Sequence, residues 1–403
     1  MQNKNTYGLV FGGGGAKGAY QMGVWKALDK MNIHIGAVVG ASIGSINGAL
    51  FAQGNLRLAQ EAWHKLNLRD AIILEDDLPY PDNLFDVRNI NQVLHSIFHQ
   101  KGLDMEPVRE LLQKYIDEDQ VRRSPIDFGV VSYDITNRKP VEIFKGDMPE
   151  GSLYDYLMAS ACFPVFKSVV IDGQKFIDGG VYNNLPADML ANKGYKHLIL
   201  VDIGAMGIIR NTALQEIDII MIKPLTPLGG LFDMSPKVLQ LSIRRGFLDT
   251  YRAFGKLAGS CYYLSVRSTA HFVRKHGKNT LDGLEAAGQR YGIDPYRIYT
   301  PERLQHAVTE KFQEESQEYV RLRQSTSHFE LRSRIIGARP RLSKLEKNYL
   351  IPAAVDVLRD ASTTDLARAA ARRLMPAAVN IAEALIALGI RPTEIQEEGT
   401  QVL

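Results

Sequence analysis

The alternation of short apolar runs with amphipathic segments over residues 7–223 is the feature that most restricts the fold of this chain. Runs rich in β-branched residues predict strands at residues 7–11, 37–40, 126–133, 141–144, 176–177, 198–201 and 217–222. Segments with helical spacing are found at residues 19–31, 56–66, 107–115 and 153–161. Strands and helices that alternate in this way are typical of a mainly parallel sheet with helices on both faces. The sequence therefore predicts a three-layer α/β/α fold.

After residue 223 the pattern becomes mainly helical, over residues 236–257, 301–323, 344–359 and 364–388. An amphipathic helix in this part ends close to Gly259, and glycine commonly follows a helix end. We place a boundary there, which gives a first domain over residues 5–258 and a mainly helical C-terminal region of unknown role over residues 259–403. A chain of 403 residues is long enough for both.

The composition excludes several classes of protein. Apolar residues make up 45% and charged residues 23% of the chain, which is typical of globular proteins and excludes disordered and fibrous ones. The two cysteines, Cys162 and Cys261, are too few for a disulfide framework or a four-ligand zinc site, so we predict reduced thiols and no metal. Neither a secretion signal nor a membrane span is predicted, and a net charge of +3 gives no reason to expect nucleic acid as a partner. We therefore expect a cytoplasmic protein.

A glycine-rich loop lies between the first predicted strand and the first predicted helix, and it consists of Gly12, Gly13, Gly14, Gly15, Ala16, Lys17 and Gly18. Glycines at this position let the backbone turn and leave N–H groups free at a helix start, where they attract negative charge. The spacing also matches the dinucleotide-binding fingerprint, so an NAD(P)-binding Rossmann-type oxidoreductase is an alternative. That class needs an acidic residue at the end of a second strand, whereas residues 40–42 are Gly-Ala-Ser.

The second motif, Gly40-Ala41-Ser42-Ile43-Gly44, closes the predicted second strand and opens a helix. It has the pattern of a nucleophile elbow, in which flanking glycines relieve the crowding around a strained serine whose hydroxyl is lifted above the sheet. Ser42 is therefore a candidate nucleophile. The alternative interpretation is a serine that only caps the N-terminus of the helix.

The third motif is Asp178-Gly179-Gly180, directly after the predicted strand at residues 176–177. On its own, Asp-Gly is the commonest signal of a hairpin turn. A serine nucleophile needs a base, however, and none of the nine histidines is well placed for that role. His34 and His197 precede strands, at the sheet edge opposite Ser42, and the others lie on helices, in loops or in the C-terminal region. A Ser-Asp dyad does not need a histidine.

The three motifs, in this order, resemble those of the patatin-like phospholipase family. The similarity extends to residues 159–164, Ala-Ser-Ala-Cys-Phe-Pro, and covers about residues 7–225. It implies a patatin-like fold and an enzyme that cleaves fatty acyl esters of phospholipids or related lipids through an acyl-enzyme, without cofactor or metal. It also implies that Ser42 is the nucleophile and that Asp178 is the general base.

The same resemblance assigns the oxyanion hole to the backbone N–H groups of Gly13, Gly14 and Gly15, and the N–H of Ile43 is an additional candidate. The residues that support the motifs are Gly12, Lys17, Gly18, Gly40, Gly44, Gly179 and Gly180. For Lys17 two interpretations stay open: it orients the loop or a phosphate group, or it is a solvated lysine at a helix start.

A basic stretch, defined here as residues 321–347, contains eight basic and two acidic residues with apolar side chains between them. Such a stretch is able to hold a protein at an anionic lipid surface, but it equally fits a solvated helix face. A lipid substrate and a peripheral membrane contact are the partners that we expect. A non-catalytic lipid-binding or scaffold protein is the remaining alternative, and it predicts the loss of a motif residue, whereas all of them are present. The sequence predicts neither the lipid head group nor the oligomeric state.

Overall fold

The computed structural model describes residues 6–66, 102–210, 216–325 and 349–392. The chain forms two compact units, Met1–Phe254 and Gly255–Leu403. All residues of the three motifs lie in the first unit. Most of the basic stretch, residues 326–347, lies outside the described residues.

The first unit is built on an eight-stranded mixed sheet. Its strands are β1 (Tyr7–Phe11), β2 (Ile35–Ala41), β3 (Asp127–Asp134), β4 (Lys139–Phe144), β5 (Val169–Ile171), β6 (Gln174–Asp178), β7 (His197–Val201) and β8 (Asp218–Ile222). They lie in the order β5-β6-β3-β2-β1-β7-β8, and β4 also pairs with β3. The neighbours from β3 through β2, β1 and β7 to β8 are parallel, whereas β4, β5 and β6 pair antiparallel. The predicted mainly parallel sheet is confirmed.

Helices cover both faces of this sheet. They are α1 (Ala19–Lys30), α2 (Ile43–Gln53), α3 (Leu56–Lys65), α4 (Glu106–Tyr115), α5 (Glu118–Arg123), α6 (Leu153–Ala161), α7 (Ala187–Asn192) and α8 (Pro236–Ala253). Alternate strand residues point into two separate apolar cores: in β1, Leu9 and Phe11 belong to one core and Val10 to the other. Side chains of α1, α2, α3, α4 and α6 fill the first core, and side chains of α7 fill the second. The structure is therefore the predicted three-layer α/β/α arrangement.

A hairpin that the sequence analysis does not predict joins β5 to β6. Its two-residue turn, Asp172-Gly173, has φ values of 49° and 76°, and Ile171 pairs with Gln174 across it. Positive φ at both central positions indicates a type I′ turn, for which Asp-Gly is a preferred sequence. Asp178-Gly179 is no such turn, because Asp178 ends β6 and a short 3-10 helix follows it.

Strands β2 and β6 meet end to end along one edge of β3. Ala41, the last residue of β2, pairs with Val131, and Asp178, the last residue of β6, pairs with the next residue of β3, Ser132. Both pairings lie on the same edge, because β4 occupies the other edge over residues 129–134. The parallel β2 and the antiparallel β6 therefore end at the same point, and this brings Ser42 next to Asp178.

The second unit is mainly helical and also contains a small three-stranded sheet. Its elements are β9 (Leu257–Ala258), β10 (Tyr263–Ser265), α9 (Val266–His276), α10 (Lys278–Arg290), β11 (Ile298–Tyr299), α11 (Pro301–Ser325), α12 (Leu350–Arg359), α13 (Asp365–Leu374) and α14 (Pro376–Ala387). The prediction of one helix over residues 364–388 is wrong, because Pro376 lacks an N–H and starts a second helix. Among the helices that the structure describes, none is both long enough and apolar enough to cross a membrane.

Candidate active site

Ser42 lies in a tight turn between β2 and α2. Its backbone has φ 53° and ψ −130°, a region that costs a residue with a side chain on the order of 1–3 kcal/mol. The turn closes only because two neighbours are glycines: a Cβ on Gly40 would collide with the backbone of Gly44, and a Cβ on Gly44 would collide with the carbonyl oxygen of Phe11. The predicted strand–turn–helix setting of Ser42 is therefore present.

Hydrogen bonds to the backbone of Ser42 hold this strained turn. The N–H of Ser42 donates to the hydroxyl oxygen of Ser160 at 3.0 Å, and Ser160 is fully buried in α6. The carbonyl oxygen of Ser42 accepts from the N–H and the hydroxyl of Ser45, at 2.9 and 2.6 Å. Within the described chain the Ser42 side chain makes no capping hydrogen bond to α2, so the interpretation as a helix cap is not supported.

Asp178 ends β6 with its carboxylate buried beside Ser42. The residue is only 4% exposed, and burial raises the pKa of its carboxyl from 3.8 to about 6. The neighbouring Ser42 hydroxyl and the N–H of Gly180, which donates to Oδ1 at 2.7 Å, both lower this pKa and so oppose the effect of burial. A carboxylate with a pKa of about 6 is ionised at neutral pH, yet it accepts a proton more readily than an exposed aspartate does.

The glycine-rich loop lies against Ser42, and its N–H groups differ in their partners. A Cβ on Gly13 would lie 2.9 Å from the Cβ of Ser42, so the loop backbone passes directly beside the serine. The N–H of Gly13 donates to the carbonyl oxygen of Asn184 at 3.2 Å. For the N–H groups of Gly14 and Gly15, in contrast, no acceptor is found among the described residues, and both glycines line the cavity next to Ser42.

Ile43 adds a third donor at the N-terminus of α2. The first N–H groups of a helix have no acceptor within the helix, and Ile43 lines the same cavity as Gly14 and Gly15. The loop and the helix therefore bring three backbone N–H groups, those of Gly14, Gly15 and Ile43, to the cavity beside Ser42. Gly13 is different, because Asn184 already accepts its N–H.

A cavity of about 660 Å³ opens from Ser42 and Asp178 into the helical layer. Its wall is largely apolar and includes Ile46, Leu50, Trp63, Leu66, Val108, Leu112, Phe166 and Phe232. A cavity of this size and lining suits an extended hydrocarbon chain. Among its described lining residues, Asp178 is the single acid and no histidine is present. The described residues also contain no group of three or more His, Cys, Asp or Glu placed to hold a metal ion.

A family comparison identifies the part of the chain that carries this site. The sequence model of the patatin-like phospholipase family matches residues 9–191, which contain all three motifs. Residues 9–191 belong to the patatin-like phospholipase family. We call this part the patatin-like domain.

Relatives of the patatin-like domain include much longer proteins. The chain is 32% identical over 307 residues to patatin-like phospholipase domain-containing protein 6 of Mus musculus, across 72% of this chain and 20% of that protein. It is 30% identical over 209 residues to neuropathy target esterase sws of Drosophila melanogaster, across 50% of this chain and 14% of that protein. The chain thus spans 20% or less of the length of these relatives. The crystal structure of VipD from Legionella pneumophila is 13% identical, covers 96% of this chain and 89% of its own, and has a TM-score of 0.42.

Two residues support the site although the sequence analysis gives them no role. Ser160 fixes the N–H of Ser42, and its signal in the sequence is its place in the family-like segment at residues 159–164. Asn184 holds the glycine-rich loop: its carbonyl oxygen accepts the N–H of Gly13, and its own N–H donates to the carbonyl oxygen of Ile208 at 2.6 Å. In the sequence, the role of Asn184 is indicated only by its position shortly after the Asp178 motif.

Lys17 ties the glycine-rich loop to the segment that follows β7. Its Nζ donates to the carbonyl oxygen of Gly204 at 2.8 Å. Partial burial lowers the pKa of the lysine, and the nearby carboxylate of Asp202 opposes this change. Lys17 does not line the cavity, so its contacts favour the interpretation that it orients the loop.

Proposed function

We propose that the first domain, residues 5–258, hydrolyses fatty acyl esters of glycerophospholipids or related lipids, with Ser42 as nucleophile and Asp178 as general base. The observation that carries this proposal is the buried carboxylate of Asp178, which lies beside Ser42 at the polar end of an apolar cavity. Relatives that are named phospholipase and esterase support the same class of reaction.

In the acylation step, Asp178 accepts the proton of Ser42 while the serine oxygen attacks the ester carbonyl. The carbonyl oxygen becomes negatively charged and binds to the N–H groups of Gly14, Gly15 and Ile43, each worth on the order of 3 kcal/mol. Collapse of the tetrahedral intermediate expels the alcohol of the lipid, which takes the proton from Asp178, and leaves the acyl group on Ser42. Water then attacks the acyl-enzyme, again with Asp178 as base, and the fatty acid is released.

The wall of the cavity favours the acyl chain, rather than the head group, as the part of the lipid bound inside. Among the described residues that line it there is no lysine or arginine to bind a phosphate. A hydrocarbon chain that leaves water for such a wall gains about 25 cal/mol per Å² of buried apolar surface. The head group would therefore stay outside the cavity.

The lipid would be reached through an apolar rim at the mouth of the cavity, defined here as Val181, Met206, Ile208 and Ile209. The first three line the cavity, and the four residues are 37%, 91%, 52% and 45% exposed. Arg210 follows the rim and is also exposed, so its positive charge suits lipid phosphate. We therefore include a peripheral membrane contact through the rim, and a cytoplasmic location, in this proposal.

Substitution in the apolar rim tests the membrane contact. Met206→Gln combined with Ile208→Gln should reduce vesicle binding and the hydrolysis of vesicle lipid, while the hydrolysis of a soluble short-chain ester stays near the wild-type rate. A matched control is Ile219→Gln combined with Met221→Gln, because these residues are 36% and 42% exposed on β8 and do not line the cavity. Equal losses in both pairs would show that the rim has no special role.

The catalytic proposal is tested by labelling with a fluorophosphonate probe and by assaying hydrolysis of a panel of lipids. The wild-type chain should be labelled and should release fatty acid, whereas Ser42→Ala should do neither and should retain its thermal unfolding transition. Activity close to that of the wild type in Ser42→Ala would end the assignment of the nucleophile. A wild-type chain that binds lipid but is neither labelled nor active would favour the lipid-binding alternative, and binding of NADH would favour the oxidoreductase.

A further inference from the structure

Three buried side chains form a continuous hydrogen-bond network beneath the glycine-rich loop. Gln21 on α1 and Asn47 on α2 are 0% exposed, and Trp63 on α3 is 4% exposed. The indole N–H of Trp63 donates to Oδ1 of Asn47 at 2.9 Å. Nδ2 of Asn47 donates to Oε1 of Gln21 at 2.7 Å and to the carbonyl oxygen of Gly18 at 3.0 Å. Nε2 of Gln21 donates to the carbonyl oxygen of Gly12 at 2.7 Å.

The chemistry of these groups fixes the direction of every bond in the network. An indole N–H can only donate, so the Asn47 atom that faces Trp63 must be the amide oxygen. The Asn47 amide nitrogen then faces two acceptors, and it has two hydrogens to give. Gln21 therefore presents its oxygen to Asn47 and its nitrogen to Gly12, whose carbonyl can only accept. No other orientation of the two amide groups satisfies all partners.

We propose that Gln21 and Asn47 are positioning residues that set the geometry of the oxyanion hole. The network holds the carbonyl oxygens of Gly12 and Gly18, which are the first and the last residues of the glycine-rich loop. The proposed donors Gly14 and Gly15 lie between these two fixed points. Neither amide side chain is required to touch a reacting atom, and both act through the loop. This role rests on the proposed function.

The position of the loop matters because backbone donors stabilise a transition state only when they point at the place where the charge develops. A misplacement of about 1 Å is enough to cost on the order of 100-fold in rate. Without its donor, the buried carbonyl of Gly12 would be left unsatisfied, and the loop would move to find another partner. The expected defect is therefore in the chemical step and not in the binding of the acyl chain.

The test uses two variants of nearly unchanged size, assayed on a soluble ester. Gln21→Met removes the bond to Gly12 and the bond from Asn47, and Gln21 does not line the cavity. It should lower kcat by about 10- to 100-fold and leave KM within about twofold. Asn47→Leu should lower kcat at least as much, but because Asn47 lines the cavity its KM is not used as a readout. Because the two amides act in series on one loop, the double variant should be no slower than the slower single variant, instead of showing the product of both losses.

Thr250→Val is the matched control for the loss of a buried hydrogen bond. Thr250 is 0% exposed and donates to the carbonyl oxygen of Gly246, a bond within α8 that includes no residue of the glycine-rich loop. It should lower the thermal midpoint, as Gln21→Met does, and leave kcat unchanged. Should Asn47→Leu fail to fold, the comparison of Gln21→Met with Thr250→Val decides the question.

Two results would overturn the inference. One is a kcat for Gln21→Met within twofold of the wild type, and the other is a double variant whose loss equals the product of the single losses. In both cases the proposed function would still stand, provided that the wild type hydrolyses the ester and Ser42→Ala does not. A wild-type chain that hydrolyses no ester would refute the proposed function and, with it, the role of the network.

Discussion

The proposed general base Asp178 should make the fold less stable, because its ionised carboxylate is buried. Asp178→Asn separates the effect on catalysis from the effect on stability. Burial raises the pKa of the folded-state carboxyl from 3.8 to about 6. At 1.36 kcal/mol per pH unit, this difference corresponds to about 3 kcal/mol of stability that the ionised carboxylate removes from the native state. Asparagine has the same shape and can still accept the N–H of Gly180, but it never ionises.

The pH dependence of this effect follows from the direction of the pKa change. The native state holds the Asp178 proton more tightly than the unfolded chain, so wild-type stability falls as pH rises through the window from about 4 to about 6. Below that window both states are protonated and the penalty disappears. Asp178→Asn should therefore match the wild type near pH 4 and be more stable by about 3 kcal/mol above pH 7.

Urea unfolding of both chains at a series of pH values measures this difference. Asp147→Asn, which makes the same substitution at an exposed aspartate, is measured in parallel as the control. The stabilised Asp178→Asn should at the same time lose on the order of 10²- to 10⁴-fold in kcat/KM. Wild-type kcat/KM should rise with pH through about 6, as the base ionises. A stability difference that is flat in pH, or that shrinks as pH rises, would refute the reasoning.

Three further predictions concern the nucleophile, the histidines and the basic stretch. Ser42→Gly should be inactive like Ser42→Ala but about 1 kcal/mol more stable in urea unfolding, because glycine tolerates the positive φ of the elbow; the reverse order would contradict a strained backbone. No single His→Ala change should lower ester hydrolysis by more than about tenfold, and a histidine variant as impaired as Asp178→Asn would turn the dyad into a triad. Replacing Arg332, Arg334, Arg339 and Arg341 with Gln should weaken binding to anionic vesicles in a salt-dependent manner and spare a soluble ester. Unchanged vesicle binding would identify the stretch, which lies outside the described residues, as a solvated face.

The main elements of the fold follow from local sequence patterns. Buried strands such as β1 are continuous apolar runs. The turn at Ser42 needs Gly40 and Gly44, because a Cβ at either position would collide with the backbone, and this requirement belongs to the motif itself. The sequence does not predict the short strand β5, because three residues are too few to show a strand periodicity. The Asp172-Gly173 turn has a preferred hairpin sequence, but a dipeptide alone does not identify the two strands that it joins.

The details of the site depend on contacts between distant parts of the chain, which a local pattern does not contain. Nothing near Gly13 in the sequence shows that Asn184 accepts its N–H. The link from Trp63 through Asn47 to Gln21 likewise joins three helices whose packing must be known first. Residue types at the site can therefore be predicted from motifs. Which N–H groups of the loop have an acceptor within the described residues, and which do not, can be learned only from the structure.

The end-to-end meeting of β2 and β6 on β3 makes the proposed catalytic pair a reporter of sheet assembly. β2 and β6 pair with different residues of β3, and the register of each pairing decides where the last residue of that strand lies. A slip of β6 by one residue would move Asp178 by about 3.4 Å and turn its carboxylate to the opposite face of the sheet. A newly made chain that has collapsed but not yet aligned these strands would thus carry every motif and still lack a base beside its serine. Under the proposed function, ester hydrolysis would begin only once β2 and β6 had both reached their native registers on β3.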